Sequence, residues 1–383
     1  MKIAYIINSY PIHVVVEDEM VELIKRNHDI SIFCIFDSKI SLSKIDEIIK
    51  SRLFELGDFI YWQHFLLYLI RKPKKLLRFL SKWRNLLGII GSIKALWMSD
   101  MFIDLEIDRI HCEFVSVNAL YAMVISKEID IPFSCTTHHS DLLYKPLENL
   151  QEVIAEARPF ITISQFNREY IKEKYGDVYR RVDIVRCGVD TNLYHFPERR
   201  SNVGIPVITT VSWFRPVKAL DVLARALVIL DREGIDFFCK VIGGGDDGRD
   251  DFIKILSEAN IENRFELLGV RPRDEVMNIL IDSDIFVLPS ISEGVPVAIM
   301  EAMALELPVV ASRIMGNLEI VEDGRTGFLV PERDPDALAL KLKELIKDEG
   351  LRKLMGERGR EVVLREYNLE KNVSILEKTF QKY

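Results

Sequence analysis

Residues Ile285 to Leu305 read IFVLPSISEGVPVAIMEAMAL, three kinds of chain in succession. Ile285 to Leu288 is a short apolar run of strand type. Pro289 to Pro296 holds Gly294 and two prolines and reads as a loop. From Pro296 onward, Val297, Ala298, Ile299, Met300, Ala302, Met303, Ala304 and Leu305 make a helix that is apolar nearly all the way round. Strand, loop and core helix form one βα unit, and such units build parallel sheets covered on both faces. Glu301 does not fit that helix. A core helix seldom tolerates a lone charge, so this carboxylate needs either a protein partner or a cavity where a ligand supplies hydrogen bonds.

The same alternation extends outward. In the second half, Val207 to Val211, Phe237 to Ile242, Phe265 to Leu268 and Val309 to Ala311 read as further strands. Helices are expected to start near Lys218, Arg249, Arg273 and Pro296. Asp334-Pro335 supplies an N-cap followed by proline at the first helical position, and opens a helical tail. In the first half the strands are Ile3 to Ile7, Ile30 to Phe36, Arg109 to Phe114, Pro132 to Thr136, Phe160 to Ile163 and Val182 to Val185. At 383 residues the chain exceeds one ordinary core. The expected division is an acceptor-side domain over 1–190, a linker over 191–205 in the polar TNLYHFPERRSNVGI, and a second domain over 206–365. The helix at 366–383 could pack back on the first.

Composition narrows the class. The five cysteines, Cys34, Cys112, Cys135, Cys187 and Cys239, are scattered and include no C-x-x-C, against both a disulfide frame and structural zinc. A reducing compartment is expected, and MKIAYIINSYP runs into a strand pattern without a secretory signal. The net charge of −8 argues against nucleic acid as partner. Between Tyr61 and Ser99 there is no Asp or Glu, while Arg71, Lys72, Lys74, Lys75, Arg78, Lys82, Arg84 and Lys94 lie among Leu, Ile, Phe and Trp. The Phe59 to Ile70 run reads as a core helix. The basic stretch, with Trp83 and Trp97, suits peripheral contact through 61–98 with anionic lipid at the cytoplasmic membrane face. No uninterrupted apolar run of spanning length is expected.

In doubly wound sheets ligands bind beyond the carboxyl ends of the strands. The loops there are SWFRPVK, Gly243-Gly244-Gly245, PSISEGVP and SRIMGN. Pro296 leaves first-turn amides free to meet an anion such as a diphosphate, and Arg215 and Lys218 add counter-charge. A lysine beginning a helix opposes the dipole unless an anion is present. Glu301 and Glu293, eight residues apart, could then bracket a nucleotide sugar, Glu301 on its ribose.

E-x-x-x-x-x-x-x-E from Glu293 to Glu301, within SEGVPVAIMEAMALELPVVAS and followed by EIVEDGRTGFLVP, resembles the donor-site signature of family 4 glycosyltransferases. GVD at Gly188 to Asp190, GGGD at Gly243 to Asp246 and LGVRPRDEVMNILIDSDIFVLPS extend the likeness. FSCTTHHSDLLY and ISQFNREYI resemble the branch that makes exopolysaccharides and other cell-surface glycans. The resemblance implies an α/β GT-B fold, two Rossmann-like doubly wound domains facing a central cleft. It implies a retaining enzyme that moves a sugar from a nucleotide diphosphate donor to a glycan or lipid-linked acceptor, with no cofactor and no metal. Glu293 would bind donor-sugar hydroxyls, Glu301 the ribose and Lys218 the diphosphate, with Arg215, Gly243, Val270, Gly294, Val295 and Gly316 also on the donor side. His138, in T-x-H-x-x-D with Thr136 and Asp141, matches the histidine that lines the sugar from the other domain, and Thr136 and Asp141 fall on the acceptor side.

The chain departs from the family in three places. G-R-x-x-x-x-K-G reads Ser212-Trp213-Phe214-Arg215-Pro216-Val217-Lys218-Ala219, H-x-H-F reads His111-Cys112-Glu113-Phe114, and a twin glycine reads Met315-Gly316. If Trp213 to Arg215 is extended, those two side chains point the same way and Arg215 replaces the displaced arginine. The alternative function is a non-catalytic partner subunit of the same fold that binds a nucleotide sugar or glycan.

Overall fold

Short runs of Ile, Val, Phe and Tyr, most of them followed by a helix among the described residues, give two parallel sheets in the computed structural model, which describes residues 1–9, 13–36, 52–55, 58–195 and 204–383. The chain divides into two units, Met1–Arg186 with Glu370–Tyr383, and Cys187–Leu369. Residues 196–203 of the stretch read as a linker lie outside the described residues.

The first unit has seven parallel strands: β1 (Lys2–Ile7), β2 (Asp29–Cys34), β3 (Leu53–Glu55), β4 (Arg109–Glu113), β5 (Phe133–Thr137), β6 (Phe160–Thr162) and β7 (Val182–Ile184). They lie in the order β3-β2-β1-β4-β5-β6-β7, so the direction of winding switches between β1 and β4, where Ile6 is opposite Cys112. Ile3, Ala4, Tyr5 and Ile6 are fully buried, as a strand covered on both faces requires, and helix α1 (Val14–Lys25) follows. The edge strand β3 escaped the sequence reading because three residues carry no usable period.

Two expectations for the basic region are corrected. Helix α2 (Asp58–Arg71) is not a core helix over its described side chains: Tyr68 is buried, but Leu66, Leu67, Leu69 and Ile70 are exposed. Helix α3 (Pro73–Asp104) is long and apolar enough by length and composition to cross a membrane, although Lys94 and Asp100 interrupt its apolar run as expected. It is broken at Gly88, whose φ of 72° and ψ of 177° are non-helical, and beyond the break Ile93, Ala95, Leu96, Met98 and Phe102 are buried in the unit's core. Lys94, counted with the surface cations, is also buried and donates to the Ile35 carbonyl at 3.1 Å.

The second unit has six parallel strands: β8 (Val207–Val211), β9 (Phe238–Ile242), β10 (Phe265–Gly269), β11 (Ile285–Leu288), β12 (Val309–Ser312) and β13 (Gly327–Val330). Their order is β10-β9-β8-β11-β12-β13, with the switch between β8 and β11. Both sheets are Rossmann-like. β13 lies in GFLV, quoted as motif but not read as a strand. Asp334 caps the helix at Pro335–Lys347, accepting from the Ala337 amide at 2.8 Å.

The last helix, Leu369–Gln381, belongs to the first unit from Glu370 onward. Arg109, at the start of β4, donates to the Phe380 carbonyl at 2.8 Å and lies 5.0 Å above the Phe380 ring. Burial lowers its pKa to about 10. Glu377 accepts from Arg26 at 3.0 Å and pairs with His28 at 2.7 Å.

Candidate functional site

The loops after β8 and β11 flank the switch point of the second sheet, where a doubly wound fold collects ligands. After β8 the chain bends at Phe214, is extended at Arg215 (φ −146°, ψ 147°) and makes one 3-10 turn over Pro216–Lys218. Ala219 then takes a left-handed conformation and the α-helix begins at Leu220. Lys218 therefore closes the 3-10 turn rather than beginning the helix as expected. The Ile291 amide donates to the Val217 carbonyl at 2.9 Å and fastens the two loops together. Lys218 Nζ lies 2.6 Å from Glu293 Oε1, with side chains 24% and 11% exposed. The residues expected on the diphosphate and on the donor sugar thus form one ion pair.

Glu301 lies on the helix Val297–Ala304, where Ile299, Met300, Ala302, Met303 and Ala304 are fully buried. It is 8% exposed, and Oε1 accepts from the Tyr194 hydroxyl at 2.5 Å. Arg273 Nε donates to the same hydroxyl oxygen at 3.1 Å, and its guanidinium stands 5.4 Å over the Tyr194 ring. Burial and the Glu301 charge push the Tyr194 phenol well above its usual range. The sequence reading missed both neighbours. Tyr194 sat in the stretch read as linker, and nothing in its local pattern marked it as 1% exposed. Arg273 carried the signal used for Lys218, a cation in the first turn of a helix (Arg273–Ile281), and could have been found by it.

Glycines close the donor-side loops. A Cβ on Gly316 would fall 1.5 Å from the Gly294 carbonyl oxygen, so the loops after β11 and β12 touch backbone to backbone there. Gly243 has φ of 145°, and a Cβ on it would lie 1.9 Å from the Ser212 carbonyl oxygen. Its freedom is thus required by the neighbouring strand's own chain. A Cβ on Gly244 would meet Val270 at 2.7 Å and the Trp213 ring at 2.9 Å. The Arg215 guanidinium lies 5.8 Å over the Trp213 ring. Trp213, Arg215 and Val270 are exposed, while Val295 is buried.

In the first unit the corresponding switch point lies between β1 and β4. Glu113, at the end of β4, is enclosed by imidazoles: Oε1 is 2.7 Å from His111 Nε2, and Oε2 hydrogen-bonds His138 Nε2. His111 Nδ1 meets Ser134 at 2.8 Å, and Thr136 Oγ1 lies 3.3 Å from His111 Nε2. Burial alone would raise the Glu113 carboxyl, but the charges and hydrogen bonds of His138 and His111 hold it down to about 2. Tyr5 donates to Glu19 at 2.8 Å, and burial with the Glu113 charge pushes Glu19 up to about 8. One atom each of Glu19, His111 and Glu113 lies within 4.8 Å of the others, close enough to hold a cation. The hydrogen bonds just named already join His111 to Glu113. Asp141 turns inward: Oδ1 accepts from the amides of His138 at 2.9 Å and His139 at 3.0 Å, and Oδ2 from Val115 at 2.7 Å. It holds the histidine loop in shape.

Residues 195–362 match the family model described as "Glycosyl transferases group 1", and residues 12–193 that described as "Glycosyltransferase Family 4". Over 284 residues the chain is 31% identical to N-acetyl-alpha-D-glucosaminyl L-malate synthase of Bacillus anthracis, covering 70% of this chain and 73% of that protein. It is 29% identical over 314 residues to an uncharacterized glycosyltransferase of Methanocaldococcus jannaschii, covering 79% and 83%. A putative colanic acid biosynthesis glycosyltransferase of Salmonella typhimurium is 34% identical over 196 residues, which span 49% of this chain and about half, 48%, of that protein. Among solved structures, Anabaena HepE in complex with UDP and glucose superposes with a TM-score of 0.75 at 17% identity, covering all of both chains, a likeness of fold.

Proposed function

The chain belongs to the family 4 glycosyltransferases, two-domain GT-B enzymes, and from that premise we propose that it moves a sugar from a nucleotide diphosphate donor, with retention, onto a glycan or lipid-linked acceptor of a cell-surface polysaccharide. The observation that carries this is the buried Glu301, held by Tyr194 beside the loops that pair Lys218 with Glu293 at the switch point. A charge kept in an apolar helix is costly, and a ligand hydroxyl is what such a carboxylate can serve.

In this reading the donor rests on the second unit. Glu301 accepts from ribose hydroxyls, and Glu293 and the amides near Gly294 and Gly316 hold the sugar. Lys218, with Arg215 from the rim, leaves Glu293 to neutralise the diphosphate. The acceptor oxygen bonds to the anomeric carbon as the bond from that carbon to the diphosphate breaks. The acceptor hydrogen passes to the departing phosphate oxygen, so no protein base is obligatory, and cationic side chains and helix-end amides stabilise the leaving charge. The first unit holds the acceptor, with Thr136 and Asp141 on that side, and His138 lines the sugar as the family resemblance implies.

The same unit would rest on the cytoplasmic face of an anionic membrane. Leu66, Leu67, Leu69, Ile70 and Leu77 are exposed on α2 and the start of α3. Lys72 and Lys75 are tied to Asp100, and Lys82 to Glu128, whereas Arg71, Lys74 and Arg84 have no acidic partner among the described residues. Trp83 donates to Glu128 and Trp97 packs on the core, so leucines rather than tryptophans form the apolar contact.

The test is calorimetric and thermal-shift titration with a panel of nucleotide sugars, followed by proton NMR of the anomeric centre of the product. Saturable stabilisation by one donor and an unchanged anomeric configuration support the reading. No donor binding at millimolar concentration, or an inverted product, would falsify it.

A further inference from the structure

We propose that Glu113 and Phe114 are positioning residues for His138, a carboxylate and a ring that together fix the orientation of its imidazole and the nitrogen that carries a hydrogen. This rests on the reading of His138 as part of the transfer site. Glu113 stands where the resemblance leads one to expect a second histidine, and its side chain is 1% exposed. A carboxylate without its proton only accepts, so the nitrogens facing it, His111 Nε2 and His138 Nε2, must donate. The tautomer of His138 is thereby set by its carboxylate partner, as in other carboxylate-oriented histidines.

Phe114 supplies the second constraint and a different kind of observation. Its φ of +57° places a bulky aromatic residue in the left-handed region, which such a side chain adopts only under strain. That backbone turn lays the Phe114 ring on the His138 imidazole, centroids 4.0 Å apart and planes 18° apart. A residue better suited to the turn, such as glycine, could not make that stack. The backbone of His138 is fixed as well, its amide by Asp141 at 2.9 Å and its carbonyl by the Asn167 side chain at 3.1 Å. Edge, face, amide and carbonyl of one histidine are held at once, more than the packing of a loop requires.

The experiment uses the full-length protein labelled with 15N-histidine, with His138 assigned by the signals lost in His138→Asn. In the wild type, Nε2 of His138 is expected to keep its hydrogen from pH 6 to 9; in Glu113→Gln a measurable fraction of that nitrogen should lose it. Against the donor found by titration, Glu113→Gln is expected to lower kcat roughly 10- to 100-fold with donor KM within about twofold. Phe114→Gly should lower kcat about tenfold while Tm stays level or rises, because glycine relieves the left-handed backbone. An unchanged ring signature in Glu113→Gln, or wild-type turnover in Phe114→Gly, overturns the proposal. A stoichiometric metal in the purified protein that Glu113→Gln loses overturns it too, making Glu113 a ligand. If no donor is ever turned over, the ring signature still decides the clamp while the transferase reading alone fails.

Discussion

Tyr194 and Glu301 are 107 residues apart in the chain and 2.5 Å apart in the fold, a phenol donating to a carboxylate on a helix whose Ile299, Met300, Ala302 and Met303 are buried. The buried acid thus has a protein partner, and Arg273 beside the same hydroxyl brings a positive charge near it. The two readings open for Glu301, internal partner or ligand acceptor, are compatible, because a carboxylate has more lone pairs than one phenol can occupy.

Glu301→Gln should weaken donor binding about 10- to 100-fold, the range for losing hydrogen bonds to a charged group. Tyr194→Phe should weaken it less, about 3- to 10-fold, since it removes support and leaves the carboxylate in place. Isothermal titration measures both. Equal losses for the two would mean that Glu301 serves only Tyr194.

Lys218→Met is expected to reduce turnover at least 100-fold, as removal of a transition-state charge partner does, whereas its effect on unfolding free energy should stay near 1 kcal/mol for a partly exposed pair. Glu293→Gln should raise donor KM through lost sugar contacts. A double-mutant cycle on stability separates the pair's own coupling from its role in transfer.

Gly316→Ala forces a Cβ into the space of the Gly294 carbonyl oxygen, so the loops after β11 and β12 must part. A destabilisation of about 2 kcal/mol or more and loss of donor response are expected, read by chemical denaturation and thermal shift. Wild-type donor affinity in this variant would show that the contact between the loops does not shape the site.

The two neighbouring carboxyls Glu19 and Glu113 of the first unit predict opposite pH effects. Glu19 is raised to about 8, by burial first and then by the charge of Glu113, with Tyr5 and His138 lowering it. The fold keeps its proton where the unfolded chain loses it, so its stability contribution is full below about pH 4.5 and disappears as pH rises to 8. Glu113, held at about 2, contributes stability above the ordinary carboxyl range and loses it only as pH falls toward 2. Glu19→Gln should therefore gain about 1–3 kcal/mol over wild type at pH 8 and little at pH 5, measured by urea denaturation at both. A constant difference across that window would contradict the raised Glu19.

Ile70→Asp with Leu77→Asp should reduce sedimentation with anionic vesicles at least fivefold, and Lys74→Glu should do so mainly at low salt. Binding unchanged by either, or indifferent to lipid charge, would remove the membrane reading.

Much of this was legible along the chain because its signals are local. The β-branched run Val207 to Val211, the proline and cap at Asp334-Pro335, and the strand, loop and helix of Ile285 to Leu305 are each decided within a few residues by backbone sterics and apolar spacing. The isolated charge of Glu301 was equally plain, since one acid in an apolar helix is visible without coordinates. What faces that acid was not. Tyr194 comes from a segment without period, and the pairing of Lys218 with Glu293 or the enclosure of Glu113 by His111 and His138 depends on which strands become neighbours at a switch point. The orientation of α2 was misread for a related reason: an apolar helix is the same string whether its face meets a core or water, and only packing chooses between them. Periodicity is written in adjacent residues, whereas partners are assigned by the three-dimensional chain, across separations where sequence spacing carries no distance.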